Sequence, residues 1–235
     1  MKNNPTLCIR VSDEKYCPFC NEYKVVKNGT TKNKKRQYYC RLCGKRFIES
    51  YTYRAYNSDI NQNIIQLTKE GLGIRSTARV LKVSTTTLLK RIVSIAKSIN
   101  QPIISKGKEY EVDELCIFIR QKRNFIWLVY ALEKDSKNVV SFNVGKRTNK
   151  TLWRVIETLK LSQAKRIFTD RLKNYRYLIE EKLHCVKRFG TNHIERKNLT
   201  LSIHLKRLNR RTICFSKSLT LLVSVLKIYF FDLNN

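Results

Sequence analysis

Apolar residues recur at helical spacing through the middle of the chain and at a spacing of two through much of its C-terminal half. Between residues 56 and 102, Ile60, Ile64 and Leu67 fall on one helical face, with Ser58 placed to cap that helix. Gly71-Leu-Gly73 stops it, and Ile74, Ala78 and Leu81 mark a second, short helix. After Lys82-Val83, Ser84 is placed to cap a third, which carries Leu88, Ile92, Ile95 and Ile99. Two short helices, a tight turn and a longer helix predict a helix-turn-helix that reads the major groove of DNA, with a plain helical hairpin as the alternative. The side chains then offered to bases are Thr85, Thr86, Thr87, Lys90 and Arg91, at the start of the last helix.

Beyond a Pro- and Gly-bearing stretch, residues 100–108, the period changes. Residues 111–120 alternate as a half-buried strand, and 124–132 and 139–144 read as two more. A helix is expected over 149–159 with Thr148 or Asn149 as its cap. A short apolar strand over 164–169, a helix over 173–183, a last strand over 186–189 and a basic helix over 194–208 follow. The pattern predicts an α+β chain in three parts: a cysteine- and lysine-rich module over 1–55, a helical domain over 56–102, and a mixed sheet with helices over 107–235.

Charge narrows the partners. The chain carries 48 Lys and Arg against 18 Asp and Glu, a net charge of +30 over 235 residues. A surface that basic repels itself unless it meets a polyanion, which favours nucleic acid over an anionic membrane. The first residues lack the apolar region of a signal peptide. The longest apolar run, 219–231, contains Lys227 and is shorter than the roughly 18–20 residues a span needs, so a cytoplasmic, nucleoid-associated protein is expected. At 42% hydrophobic the chain has enough apolar residues for a packed core.

Four of the eight cysteines form two pairs, Cys17-Pro-Phe-Cys20 and Cys40-Arg-Leu-Cys43, separated by residues 21–39. Two knuckles at that spacing predict a four-thiolate zinc site, with a redox pair or unrelated surface thiols as the alternative, and Gly44 permits the tight turn behind the second. Four thiolates leave no open coordination position, so the zinc is structural. The basic turn Lys32, Lys34, Lys35 and Arg36 touches phosphates or is a solvated loop. Cys8, Cys116, Cys185 and Cys214 are scattered and read as small apolar residues.

Three acids are out of place. Asp113 shares a strand face with Leu115, Ile117 and Ile119; Asp170 ends a short apolar strand at its carboxyl edge, where α/β sheets place ligands. Glu195 is the only acid between Glu181 and Asp232, in a stretch rich in Lys and Arg. An acid within a phosphate-attracting surface makes chemical sense if it holds a metal that neutralises a reacting phosphate. The plain alternatives are that Asp113 caps a turn, Asp170 caps a helix and Glu195 pairs with Arg196.

The run Thr191-Asn-His-Ile-Glu-Arg-Lys-Asn-Leu199, then His204-Leu-Lys-Arg-Leu208 and Cys214-Phe-Ser-Lys-Ser218, closely resembles the C-terminal signature of DDE transposases of the insertion-sequence-one family. Val112-Asp-Glu114, Trp127, Gly145-Lys-Arg-Thr148 and Phe168-Thr-Asp170 resemble its earlier motifs, and the cysteine pairs and helix-turn-helix match as well. The resemblance implies a zinc ribbon and helix-turn-helix joined to a ribonuclease H-like domain. It also implies catalytic Asp113, Asp170 and Glu195 holding magnesium (or manganese) for DNA cleavage and strand transfer. Its partners would be double-stranded DNA, as the element's terminal inverted repeats and as target, with the chain assembling as a homo-oligomer. His193, Arg196, Lys197, Lys206 and Arg207 would contact DNA near the scissile bond. The rival functions are a DNA-binding repressor with idle acids, and a nuclease or resolvase that cuts without joining.

Overall fold

The computed structural model describes residues 15–48, 54–209 and 211–232, so Cys8 and the N-terminal residues before Lys15 lie outside the described part. The chain divides into two units, residues 1–57 and 58–235. In the first, strands β1 (Val25–Thr30), β2 (Arg36–Cys40) and β3 (Arg46–Ile48) form an antiparallel meander. Each cysteine pair closes a turn through a left-handed residue. The Asn21 amide (φ 57°) donates to the Cys17 carbonyl at 2.9 Å, and the Gly44 amide (φ 68°) to that of Cys40 at 3.0 Å. The apolar core is small: Tyr38 stacks on Phe47 with ring centroids 5.6 Å apart, beside buried Cys17 and Cys40. A core of that size does not hold a fold without a cross-link, and the four thiols meet at its centre.

The second unit begins with α1 (Ile60–Lys69), α2 (Ile74–Leu81) and α3 (Thr85–Ser98). Ser84 caps α3 as expected, its hydroxyl accepting from the Thr87 amide at 3.1 Å. Ser58 does not cap α1: Asp59 stands at that position in helical backbone conformation without a capping bond, and the Ser58 hydroxyl bonds to Asp59 instead.

A five-stranded sheet follows, in the order β6 (Val139–Gly145), β5 (Gln121–Glu133), β4 (Glu109–Ile119), β7 (Arg166–Phe168), β8 (His184–Cys185). The first three strands are antiparallel, while β7 and β8 run parallel to β4. Period-2 alternation separates two cores. Tyr110, Val112, Val129 and Ala131 face α4 (Asn149–Leu161) and α5 (Lys173–Leu178). Leu115, Ile117, Leu128 and Tyr130 face α6 (Asn192–His204), α7 (Leu219–Phe231) and the three N-terminal helices. Helix α7, the long apolar run, is capped by Ser218 and packs against α1 and α3 as well as β6. Cover from several directions explains why it lacks a polar face.

Three expected boundaries differ. Helix α5 ends at Leu178, because Ile179 turns extended to enter the core and the Leu183 carbonyl accepts from the Ile167 amide at 2.8 Å. The last strand is His184–Cys185 and not 186–189, whose Val186 and Phe189 are exposed. The basic helix runs from Asn192 to His204 and tightens into a 3-10 turn over Lys206–Leu208.

Gly71, at φ 73°, lets the end of α1 approach α6: a Cβ there would lie 1.9 Å from the His204 carbonyl oxygen. Gly71→Ala should therefore cost about 2–3 kcal/mol, lowering the unfolding temperature by roughly 5–10 °C. Gly73→Ala, where the added methyl meets open space, should cost under about 1 kcal/mol. Equal effects in thermal unfolding would mean that the approach of α1 to α6 is not a constraint.

Candidate metal centre and DNA-facing surface

The register of β7 on β4 brings distant acids together. Glu111 lies beside Phe168 in that parallel pair, and β7 ends there. Two residues further along both chains, Asp113 and Asp170 come side by side, at a point where β4 no longer has β7 as its neighbour. Glu114, next in the chain, joins them: Asp113, Glu114 and Asp170 each offer a carboxylate oxygen within 4.8 Å of the others. Asp170 sits at the carboxyl edge of β7, exposed, with one oxygen accepting from the Leu172 amide at 2.9 Å. Asp113 accepts from the Glu114 amide at 2.8 Å and, on Oδ2, from the Asn198 side chain at 2.7 Å. Burial pushes the Asp113 carboxyl up to about 6, and the charges of Glu114 and Asp170 add to that shift.

Glu114 points to the other side of the strand. Its side chain is 1% exposed and accepts from Arg147 at 2.9 Å and from the buried Tyr175 hydroxyl. Burial, followed by the Glu114 charge, holds the Tyr175 phenol well above its ordinary range, so it stays a proton donor.

Helix α6 is seated over Asp113 by another acid. Glu111, fully buried, accepts from the Ile194 backbone amide at 2.8 Å and pairs with His193 Nδ1 at 2.7 Å, tying down the first turn of α6. Asn198 on the same helix bridges Asp113 and the Tyr130 hydroxyl, the latter at 2.8 Å. Glu195 lies in that first turn but outside the group of three; its carboxylate accepts from the Thr191 hydroxyl at 2.9 Å. Of the three acids singled out by sequence, the structure brings Asp113 and Asp170 together and leaves Glu195 on its own helix. Glu111, Glu114, Arg147, Tyr175 and Asn198 were not singled out for roles. For Glu111 the available signal was its place on the same apolar strand face as Asp113.

In the first unit, Cys17 Sγ lies 3.6 Å from Cys43 Sγ, Cys20 Sγ lies 3.6 Å from Cys40 Sγ, and all four sulfurs fall within 4.8 Å of one another. Tetrahedral ligands about 2.3 Å from a zinc ion stand at comparable mutual distances, so the donor set fits that ion.

The family described as IS1 transposase matches residues 109–233, over half of the chain, and the family described as InsA C-terminal domain matches residues 51–94. The chain belongs to the IS1 transposase family. Among its relatives, the insertion element IS1 protein InsB of Shigella flexneri is 36% identical over 111 residues, covering 47% of this chain and 85% of that protein. The IS1 4 protein InsB of Escherichia coli (strain K12) is 37% identical over 111 residues, 47% of this chain and 66% of that one. A solved simian T-cell lymphotropic virus intasome in complex with a PP2A regulatory subunit aligns at a TM-score of 0.37 and 15% identity, over 69% of this chain and 66% of that one, which is too low to bear on the fold.

In this transposase-family chain helices α1 to α3 make up the helix-turn-helix. Thr85, Thr86 and Lys90 are exposed on α3 while Leu88, Ile92 and Ile95 are buried; Thr87 and Arg91 are half-buried, and Arg91 reaches Asn61 at 3.3 Å. Arg75, Arg79 and Lys82, not singled out by sequence, line with Thr85 a surface groove of about 460 Å³ at the turn into α3. On α6, Arg196 is exposed and Lys197 half-buried, and burial lowers the Lys197 pKa. Lys206 is exposed, whereas Arg207 packs inward against Ser216 at 3.4 Å and its pKa is lowered by burial. No helix among the described residues is long and apolar enough to cross a membrane.

The displaced Asp113 pKa has a consequence that can be measured. A carboxyl raised from 3.8 to about 6 in the folded state contributes stability that is present below its unfolded pKa and is lost as pH rises through about 6. Without divalent ions, Asp113→Asn should therefore be more stable than the parent at pH 7.5, by about 2–3 kcal/mol. Magnesium should raise the parent's unfolding temperature more at pH 7.5 than at pH 5.5 and leave Asp113→Asn unmoved. A magnesium response independent of both pH and Asp113 would contradict the geometry described here.

Proposed function

We propose that this chain binds the ends of an insertion sequence and catalyses metal-dependent DNA strand cleavage and strand transfer with Asp113, Asp170 and Glu195. The observation that carries the proposal is the convergence of Asp113 on β4 and Asp170 just after β7, with buried Glu114 beside them, in a chain of net charge +30. Carboxylates are costly to crowd in that way unless a cation joins them, and hard oxygen donors suit magnesium or manganese. The strand order, three antiparallel strands followed by two parallel ones, supports a ribonuclease H-like fold for residues 107–235, preceded by a zinc ribbon over 1–55 and a helix-turn-helix over 56–102.

When bound, divalent cations would neutralise charge at the scissile phosphate and activate the attacking hydroxyl. The protein's part is to hold the ligands. The Asn198 amide keeps Asp113 aimed, the Leu172 amide holds one oxygen of Asp170, and Glu111 fixes the start of α6, so Asp113 and Asp170 would hold the cation. Glu195, whose carboxylate accepts from Thr191, would be the ligand that α6 supplies. Thr85, Thr86, Thr87, Lys90 and Arg91 read the terminal inverted repeat, while His193, Arg196, Lys197 and Lys206 lie along the DNA near the cut and Arg207, turned inward onto Ser216, supports that surface. Zinc held by Cys17, Cys20, Cys40 and Cys43 has no open position and serves the fold of its module. Two element ends and a target must meet, which calls for more than one copy on DNA.

Glu195→Gln keeps the size and hydrogen bonding of the side chain and removes its charge. Assayed on the element's own ends with magnesium, it should lose cleavage and joining by more than about 100-fold while binding the ends as the parent does. Full joining by the Gln variant would remove Glu195 from the chemistry. A parent that cuts without joining would make the protein a nuclease, and one that does neither would make it a binding protein.

A further inference from the structure

The Gly145-Lys-Arg-Thr148 and Trp127 motifs have no part in the chemistry so far, yet they build a fixed cation at the edge of the acid cluster. Gly145 pairs with Trp127 across β5 and β6, so the chain leaving β6 starts beside that residue. Arg147, two residues on, lays its guanidinium over the indole with the central carbon 4.4 Å from the ring centroid. It donates to Glu114 Oε2 at 2.9 Å while its own side chain remains 38% exposed. Tyr175 fixes the other oxygen of Glu114. A guanidinium held on two sides has lost most of its rotamer freedom before any ligand arrives, and with five N–H donors it retains some for a third partner. Its anchor, Glu114, lies within 4.8 Å of Asp113 and Asp170.

We infer that Arg147 binds a non-bridging oxygen of the scissile phosphate, with Glu114, Trp127 and Tyr175 acting as its positioning residues. A buried acid needs only one neutralising partner, and a flexible lysine in solvent would serve. Stacking on Trp127 adds orientation that neutralisation alone does not require, and orientation is what recognition of a tetrahedral anion needs. The arrangement also suits the charge balance at the site. Three carboxylates repel phosphate, and an arginine whose own counter-charge is part of that cluster offsets the repulsion where the DNA must enter.

The inference rests on Asp113 and Asp170 being the place where DNA is cut, and the test separates the two ideas. End DNA carrying either the natural phosphodiester or a neutral methylphosphonate at the scissile position is titrated with the full chain without added divalent ions, so that binding is read without turnover and no cation at the acid cluster adds to the discrimination. The parent should bind the phosphodiester about tenfold more tightly, the size of one charge-assisted contact. Arg147→Gln should bind the two within about twofold of each other. The double variant Glu114→Gln/Arg147→Gln, which leaves no unpaired buried charge and so guards against simple misfolding, should behave the same way. An unfolding temperature near that of the parent would confirm that the loss is one of contact and not of fold. Discrimination by the parent that survives in both variants would overturn the role of Arg147. No discrimination by the parent would overturn the location of the cut, and the inference with it.

Discussion

Like charges placed side by side in a partly buried setting repel strongly, and a fold that holds three of them together must supply compensation on every side. In the second unit that compensation can be followed residue by residue. The parallel pairing of β7 on β4 forces Asp113 and Asp170 into proximity. Asn198 and two backbone amides take up lone pairs of these carboxylates, and Arg147 with Tyr175 neutralises and satisfies Glu114. Glu111 is kept apart from the cluster and spent on the first turn of α6, where His193 and the Ile194 amide receive it. The hydrogen bonds to Asp113 do not bring it a positive charge, and burial still pushes its carboxyl up to about 6. A divalent cation is the partner that would relieve it.

The same region ties the helix-turn-helix to the acid-bearing sheet. Helix α7 packs against α1 and α3 and against the sheet, and Lys69 of α1 pairs with the buried Asp232 that follows α7, at 3.0 Å. Gly71 lets the end of α1 rest against the end of α6, the helix that carries Asn198 and Glu195. Helices that share one core hold their mutual orientation, so the exposed face of α3 has a fixed relation to the acid cluster. For a member of the IS1 transposase family, such rigidity would set the distance between the sequence that is read and the bond that is cut.

Much of this was legible from residue order because the relevant signals are local. The cysteine pairs, the Ser84 cap, the period-2 alternation of β4 to β6 and the anomalous acid on the apolar face of β4 each depend on a few neighbouring residues. Where tertiary partners decide, the sequence pattern falls short. Val186 to Phe189 has the composition of a strand, yet the pairing with β7 is taken by His184 and Cys185. The run from Lys173 to Leu183 reads as one helix, but Ile179 leaves it to enter the core. Ser58 has the chemistry of a cap but bonds to Asp59. Glu114, Arg147 and Asn198 escape for a related reason: their importance comes from what β7, α5 and α6 bring to them, and strand register cannot be read from a single chain. Glu195 shows the converse, a residue conspicuous in sequence whose carboxylate rests on Thr191, outside the group of three acids.

The central claim is that Asp113 and Asp170 form a divalent-cation site to which α6 contributes. Manganese substitutes for magnesium at oxygen sites and scatters X-rays anomalously, so crystals of the full chain grown with manganese and end DNA would test it most directly. The expected result is anomalous density between the Asp113 and Asp170 carboxylates, with Glu195 turned from Thr191 toward it. Density absent from that position, or held elsewhere while Asp113 keeps only its Asn198 and backbone contacts, would contradict it.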